Sequence, residues 1–448
     1  MDDKLQVEQK VGGGQGLLLG LQHVFVSNVW LDPLFIAAMI GMAPLAASNL
    51  INAVFAAAGF VTLLQATRLA RLPIVQGPSA SFDALMISTA KTQGMAAASG
   101  GILVSAAVAL LLSITGVIGK LGRWFTPAVS GTVICIVGIV LSQFTLLEFL
   151  GGGEGDAAYL APQTLTLSIG TALVVLALSL FGRGLWRRFA FLFGLLAGDM
   201  AASLLVGLDW GSVREADWFG WPELLPYGGL EWHGAVILAF MVAYLAAIME
   251  AMGVYQAAAE IADIKLDDRT LRRGFAGEAS GSLLSAVIGG LPTTAYAQNV
   301  GLLRLTRSGS RYPIIWAGGL LLVLGFVPKA GALLALTPGA VIGGLFLPAA
   351  AGLFTSGISL LMRMEKTEAN FTVVGVSVLL AVALPGNLSG LSGFWGTLFS
   401  NSILVGALSV LLLQGALVQL PRRFGRSYSP SSGERKSSTP NPSSSTSP

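Results

Sequence analysis

Carboxyl and carboxamide groups stand in otherwise apolar stretches of this chain. Glu250 lies within Ala247–Tyr255, among apolar or small residues. Gln298 and Asn299 follow the segment Pro292-Thr293-Thr294. A carboxylate accepts N–H donors, and a carboxamide offers both a donor and an acceptor. Such a set suits the edge of a planar heterocycle that bears adjacent C=O and N–H groups.

Five other ionisable residues fall in apolar stretches, where each is a functional hypothesis because burial of charge is costly. Glu278 is predicted to carry a proton or to join a polar network, or else to end a helix near the surface. His23 is predicted to pack or to orient a neighbour. Asp32 precedes Pro33 and is expected near the end of an apolar run, where solvent can hydrate it. For Asp83 and Asp199 two roles remain open: each could serve the coupled cation, or each could bond to backbone that a nearby break exposes.

The composition indicates a membrane protein built of many helices. Of the 448 residues, 54% are hydrophobic and 11% are charged, against about 25% charged in a soluble globular protein. Apolar runs of about 20 residues recur along the chain. They mark fourteen candidate spans, several of them cut by Gly or Pro: 15–42, 44–66, 72–90, 97–119, 125–147, 163–182, 189–208, 233–258, 275–291, 293–306, 312–328, 331–354, 369–386 and 397–420.

The basic residues predict the orientation. If the runs alternate across the membrane, all but three of the 26 Lys and Arg residues fall on the side of the N-terminus. The exceptions are Lys91, Arg214 and Lys329. Basic residues favour the cytoplasmic side, so we expect a multi-pass protein of the plasma (inner) membrane with both termini in the cytoplasm.

The chain also repeats itself. Thr126-Pro127 is echoed by Thr337-Pro338, and Leu72-Pro73 by Leu291-Pro292. Two sets of seven runs must insert in opposite orientations, and inverted repeats are typical of transporters. The predicted organisation is therefore a leader (1–14), a first repeat (15–208), an inverted second repeat (233–420) and a disordered tail (421–448).

The third and tenth runs are interrupted. Each opens with Leu-Pro and passes through small or polar residues, which predicts extended backbone. Such backbone inside a membrane requires a partner, so we expect the two pieces to pair as short antiparallel strands in an otherwise all-α protein. The N-termini of the half-helices that follow would direct partial positive charge at a ligand.

These residues resemble the nucleobase–ascorbate transporter family, also called the xanthine/uracil permeases. Its pattern in the tenth span, a Gln or acidic residue, then Asn, x, Gly, four residues and Thr, matches Gln298-Asn299-Val300-Gly301 through Thr306. The matches include Pro292-Thr293-Thr294, Gln22-His23 and Glu250-x-x-Gly253. The resemblance covers roughly residues 15–420.

The resemblance implies fourteen spans, with a core domain (spans one to four and eight to eleven) and a gate domain (five to seven and twelve to fourteen). It implies a nucleobase held between the two strands. Glu250 and Gln298 would bind the ring, the backbone at Ala80 and Ala297 would add hydrogen bonds, and Asn299 would support the site. Val254 stands at a further substrate-site position, one turn after Glu250. Glu278, His23 and Asp83 are the candidates for proton coupling or its network. Family members work as proton symporters, less often with sodium, and typically as homodimers.

The family pattern also bears on the substrate. Gln at the position of Gln298 is associated with purines such as xanthine and urate, whereas Glu there is associated with uracil. Val254, Ala80 and Glu278 depart from the usual residues, and Asp83 has no counterpart in the pattern. We therefore predict a secondary-active, proton-coupled importer of xanthine- or urate-type purines, working by an elevator-like movement of the core against the gate.

Three alternatives remain open. The first is a uracil symporter of the same family. The second is an anion exchanger or channel of the same inverted-repeat fold, which would be expected to use the half-helix N-termini and an Arg. The third is a membrane enzyme, disfavoured because the chain has only two His and one Cys. No cofactor, metal or nucleic-acid partner is expected.

Overall fold

The computed structural model describes residues 7–118, 124, 126–306, 309–388, 391, 395–396, 399 and 401–423. The helices of the first half are α1 (Gly13–Ser27), α2 (Leu31–Met39), α3 (Pro44–Thr67), α4 (Asp83–Gln93), α5 (Met95–Ile114), α6 (Pro127–Leu150), α7 (Pro162–Phe181), α8 (Leu185–Arg188), α9 (Ala190–Leu205) and α10 (Gly211–Glu215). Strand β1 (Gln76–Pro78) and a 3-10 turn (Ala80–Phe82) lie between α3 and α4.

The second half follows the same plan of helices around one short strand. It comprises α11 (Gly234–Ile261), α12 (Asp268–Ile288), β2 (Thr293–Ala295), α13 (Ala297–Thr306), α14 (Tyr312–Gly325), α15 (Pro328–Ala335), α16 (Gly339–Leu361), α17 (Glu368–Asn387), α18 (Ser402–Leu413), a π-helical turn (Gln414–Gln419) and α19 (Leu420–Arg423). The predicted tail begins at 421, but the helical end reaches Arg423. Residues 424–448 lie outside the described part.

Eight of the described helices are long and apolar enough to cross a bilayer, and the bent pair α14 and α15 would add a ninth crossing. The eight are α3, α5, α6, α7, α11, α16, α17 and α18 with its π turn. Their length and hydropathy make this a multi-pass membrane protein.

Local sequence signals set where several of these helices begin. Thr126 Oγ1 accepts a hydrogen bond from Val129 N at the start of α6, and Pro127 occupies the first turn, where no N–H is needed. Asp267 Oδ1 accepts from Thr270 N at 2.8 Å and starts α12. That hydrogen bond lowers the pKa of the exposed Asp267 carboxyl. The starts of α6 and α12 are therefore capped by the side chains that immediately precede them.

Helices α6 and α16 begin at the two echoed Thr-Pro pairs and pack directly against each other. Glycines allow this close approach: a Cβ on Gly131 would lie 2.9 Å from Gly357 O, and one on Gly357 would lie 2.6 Å from Cys135 Sγ. Small residues at a helix contact let the backbones approach within van der Waals range. The single Cys135 is thus a buried packing residue.

Two predicted spans have different boundaries in the structure. The run 15–42 breaks after Ser27, because Asn28 takes a left-handed conformation (φ 52°) and ends α1. The predicted span 331–354 also breaks, because α15 ends at Ala335 and α16 starts only at Gly339. Pro338 explains the second break, since it lacks the N–H that a continuous helix requires.

Candidate functional site

Two short strands interrupt the third and tenth apolar runs. They pair antiparallel, with Gln76 opposite Ala295 and Pro78 opposite Thr293. The pairing extends one residue further on each side, because Ser79 N donates to Pro292 O and Tyr296 N donates to Val75 O, both at 3.0 Å. Each strand thereby supplies the other's hydrogen-bond partners in an apolar setting. The predicted pairing of these segments is confirmed.

A glycine in β1 makes room for the aromatic ring of Tyr296. A Cβ at Gly77 would lie 2.5 Å from Tyr296 Cε2, closer than real side chains approach. The Tyr296 ring is buried there, and its hydroxyl donates a hydrogen bond to Asp32 Oδ2 at 2.9 Å. Gly77 therefore lets Tyr296 link the strand pair to α2.

A cavity of about 460 Å³ opens beside the strands. Most of its polar lining comes from one group of elements: Asn28, Asp32, Glu250, Thr294, Tyr296 and Gln298, whereas Ser179 and Ser356 belong to the facing wall. The remaining wall comes from α7, α9 and α16 and is mostly apolar, with Leu180, Phe191 and Phe346 among its residues. This volume and mixture are those of a small-molecule site, in which a few polar groups orient the ligand.

Glu250 reaches this cavity from the middle of α11. Its side chain is half-buried, and Oε2 accepts a hydrogen bond from Ser81 Oγ at 3.3 Å. Ser81 lies in the 3-10 turn that follows β1, and Ala80 of the same turn also lines the cavity. One weak hydrogen bond leaves most of the acceptor capacity of the carboxylate available to a ligand.

The two carboxamide side chains at the start of α13 differ in burial. Gln298 is exposed and lines the cavity. Asn299 is 1% exposed, and neither Oδ1 nor Nδ2 has a partner in the described part of the protein. Ala297 begins α13, so its backbone lies at the junction of β2 and that helix. Val254 packs in the apolar cluster with Ala295 and Val300 and is not among the cavity-lining residues.

The structure corrects the expectation that Asp32 is hydrated at the end of an apolar run. Asp32 is 8% exposed rather than hydrated, bonded to Tyr296, and lines the cavity beside Glu250. The break at Asn28 lets α2 begin at Leu31, so the Asp32 carboxyl sits at the start of a helix, not at the end of one long span. The sequence signal was Asn28, four residues before Asp32-Pro33. After Gly, Asn is the residue that most often adopts the left-handed conformation that ends a helix.

Asp83 lies close behind these two acids. It begins α4, is 1% exposed and lies within electrostatic reach of Asp32 and Glu250. Its Oδ2 has no hydrogen-bond partner among the described residues. The carboxyl groups of Asp32, Asp83 and Glu250 thus lie near one another.

Glu278 of α12 lies beside β2 in a hydrogen-bond network that includes Thr294, a residue that also lines the cavity. Thr294 Oγ1 donates to Glu278 Oε2 at 3.4 Å, and Thr293 Oγ1 donates to Glu278 O at 2.8 Å. Thr293 N donates to Ser282 Oγ at 2.9 Å, and Ser282 Oγ donates to Glu278 O at 3.0 Å. Glu278 is 4% exposed and does not line the cavity. The structure therefore brings Glu278 to the strands but not to the cavity lining.

His23 and Asp199 lie apart from the cavity lining. His23 is buried in α1, and its Nδ1 has no partner among the described residues. Asp199 accepts a hydrogen bond at 3.1 Å from Thr337, the residue of the second echoed Thr-Pro pair. Within the described residues, no group of three or more His, Cys, Asp and Glu side chains is arranged to hold a metal ion.

Comparison with known proteins gives these residues a family context. The model of the Permease family of xanthine and uracil type matches residues 14–388. The chain is 32% identical over 409 residues to the uric acid permease PucK of Bacillus subtilis, covering 89% of this chain and 94% of that protein. It is 29% identical over 360 residues to a protein of Haemophilus influenzae named a probable uracil permease, covering 78% of this chain and 85% of that protein.

Among solved structures, the transmembrane domain of the cyanobacterial bicarbonate transporter BicA has a similar fold. The TM-score is 0.62, and the match covers 91% of this chain and 100% of that domain. The two sequences are 17% identical, so this similarity concerns the fold alone.

Proposed function

The chain belongs to the xanthine/uracil permease family, and from this premise we propose that it is a secondary-active nucleobase importer of xanthine- or urate-type purines. One observation carries the proposal: Glu250 and Gln298 line a single cavity next to the junctions of both strands with their helices. Glu250 accepts ring N–H groups, Gln298 pairs with an adjacent C=O and N–H, and the backbone at Ala80 and Ala297 adds hydrogen bonds. Asn299 supports Gln298 from behind, and its unpartnered amide is free to take part.

The movement we propose follows from the division of the cavity wall. Most polar lining groups come from α2, α11 and the two strand–helix junctions, which form the core domain. The facing wall of α7, α9 and α16 is mostly apolar and belongs to the gate domain. A substrate held by polar groups on one side can slide with that side past an apolar surface without losing its hydrogen bonds. This is the elevator-like step.

The fourteen-span inverted repeat of the same proposal is supported by the order of elements. The eight long helices and the bent pair account for nine crossings. The other five are α1 with α2, β1 with α4, α9, α12, and β2 with α13. We propose the repeats at 15–208 and 233–420, both termini in the cytoplasm, a homodimer, and Glu278, His23 and Asp83 as the network through which a proton is coupled.

Uptake measurements test the function. The protein is expressed in cells that lack their own purine permeases, and uptake of labelled xanthine, urate and uracil is measured with an inward proton gradient, a sodium gradient or neither. We expect purine uptake that requires the proton gradient and is abolished in Glu250→Gln. Glu260→Gln, an exposed acid at the end of the same helix, is the matched control and should transport normally.

Two outcomes contradict this proposal. Uptake of uracil alone would favour the pyrimidine alternative, which the Haemophilus relative keeps in view. Bicarbonate or sulfate flux without nucleobase uptake would favour the anion-transporter alternative. The carboxyl groups on the cavity wall argue against the latter, because an anion there would meet negative charge.

A further inference from the structure

Asp32 adds a second acidic group to the substrate cavity. It lines the same 460 Å³ space as Glu250 but comes from a different element, α2. Tyr296 donates to its Oδ2 at 2.9 Å, and Tyr296 is itself held against Gly77 of β1. Because Oδ2 is already engaged, Oδ1 is the atom available to a ligand. Asp32 is therefore a positioned acceptor that neither its place in the sequence nor the family pattern assigns.

The ionisable side chains that line the cavity are acidic. Among the described residues that line it, none is Lys, Arg or His. The N-termini of the two half-helices offset about half a charge each, which is about one carboxylate of the two. Asp83 is buried near these two acids, and its Oδ2 has no partner in the described part of the protein. A ligand that brings its own negative charge has no counter-charge here.

We infer that Asp32 determines specificity by selecting an uncharged purine that presents N–H donors on two edges and by rejecting purine anions. This inference rests on the proposed function. Glu250 accepts from one edge of the base, and Asp32 accepts from a second edge. Xanthine, with N–H groups on both rings, satisfies this pattern. Urate is a monoanion at neutral pH, so it brings a charge next to two carboxyl groups and has one donor fewer than its neutral form.

Competition with the wild-type protein tests the charge discrimination directly. Uptake of labelled xanthine at pH 7 is inhibited by unlabelled xanthine, guanine or urate. We expect urate to inhibit at least tenfold more weakly than xanthine, and guanine to inhibit comparably to xanthine. Equal inhibition by urate and xanthine would overturn the inference while leaving the proposed function intact.

The variant Asp32→Asn tests the residue. Asn keeps an acceptor for the Tyr296 hydroxyl but removes the charge and adds an N–H donor. We expect the ratio of KM for urate to KM for xanthine to fall by at least tenfold. Asp199→Asn, a partly buried acid bonded to Thr337 and not lining the cavity, should leave that ratio unchanged.

The failures of the two proposals are distinguishable. A wild-type protein that takes up no nucleobase overturns the proposed function and the inference with it. Purine uptake with an unchanged KM ratio in a folded Asp32→Asn variant overturns the inference alone. If Asp32→Asn does not fold, the wild-type competition can still overturn the inference, because it needs no variant.

Discussion

The two faces of the strand pair bond their polar groups differently. On the cavity face, Glu250 receives one hydrogen bond, 3.3 Å long, from Ser81, and Gln298 is exposed. On the rear face, Thr293 makes hydrogen bonds through both its backbone N–H and its hydroxyl, to Ser282 and to Glu278 O at 2.9 and 2.8 Å. Similar residue types thus stand on both sides, but Thr293 makes two short hydrogen bonds within the chain, whereas Glu250 receives a single longer one.

This difference separates the polar groups that stabilise the strand pair from those that are available to bind a ligand. A buried polar group that stays unpaired costs about 1–3 kcal/mol. The rear face avoids much of that cost through the hydrogen bonds of Thr293 and Ser282, although Glu278 Oε1 has no partner among the described residues. On the cavity face Gln298 is exposed and Glu250 is half-buried, so a ligand that enters the cavity can complete their bonding.

The largest expected effect comes from removing the carboxyl group on the cavity face. In Glu250→Leu we expect uptake to fall by more than 100-fold while the melting temperature of the detergent-purified protein stays the same or rises. The free energy of unfolding should change by about 1 kcal/mol or less, since a poorly bonded polar group is replaced by an apolar one of similar size. Scanning fluorimetry and uptake are measured on the same preparation. A marked loss of stability would show that Glu250 belongs to the scaffold.

The rear face should give the opposite result, of smaller size in transport. Thr293→Val keeps the volume but removes the hydroxyl that donates to Glu278 O. We expect a loss of about 1–2 kcal/mol in the free energy of unfolding, seen as a lower melting temperature, and at least a tenth of wild-type uptake. Thr372→Val is the control, because Thr372 is exposed and bonds only within its own helix, to Glu368 O. Transport loss as large as in Glu250→Leu, at unchanged stability, would remove the distinction between the faces.

The sequence was sufficient to predict the scaffold of this comparison. Proline and small residues in two apolar runs predicted the paired strands, because extended backbone in a membrane has few other solutions. The echoed Thr-Pro pairs, used as evidence of an internal repeat, stand at two helix starts: Thr126 caps α6, and α16 begins after Pro338. Family membership also followed from short motifs such as Gln298-Asn299.

The position of Asp32 was beyond this reasoning. Hydropathy treats residues 15–42 as one span, and one left-handed residue, Asn28, changes where every later side chain of that span points. The prediction that Val254 belongs to the substrate site is not reproduced, for a related reason. Val254 lies one turn after Glu250, yet it packs into a cluster with Ala295 rather than lining the cavity, since facing direction depends on neighbouring helices that periodicity does not specify.

Glu8 of the leader pairs with Arg71 and Arg311, and these three residues are called the leader clamp. The clamp connects the leader to the chain segments on either side of the strand pair. Arg71 precedes β1 and Arg311 follows α13. Glu8 Oε1 accepts from Arg71 at 2.8 Å, and Oε2 accepts from Arg311 at 2.7 Å. Arg311 is 8% exposed and also donates to Ala66 O at 2.7 Å. One residue of the leader therefore neutralises two arginines that flank the strand-bearing segments.

Glu8→Gln should produce the smallest effect, and its pH dependence identifies the cause. Hydrogen bonding from Arg311 is the main reason that the pKa of Glu8 lies below its ordinary value of 4.5. A lowered pKa means that the clamp contributes fully above about pH 4.5 and loses its contribution as pH falls through the folded-state pKa. Because Glu8 is largely exposed, we expect a difference of at most about 1 kcal/mol between wild type and variant at pH 7. That difference should persist to pH 5 and shrink on further acidification, whereas Glu154→Gln, an exposed acid elsewhere, should show none. A difference that stays constant down to pH 3.5 would mean that Glu8 acts through packing rather than through its charge.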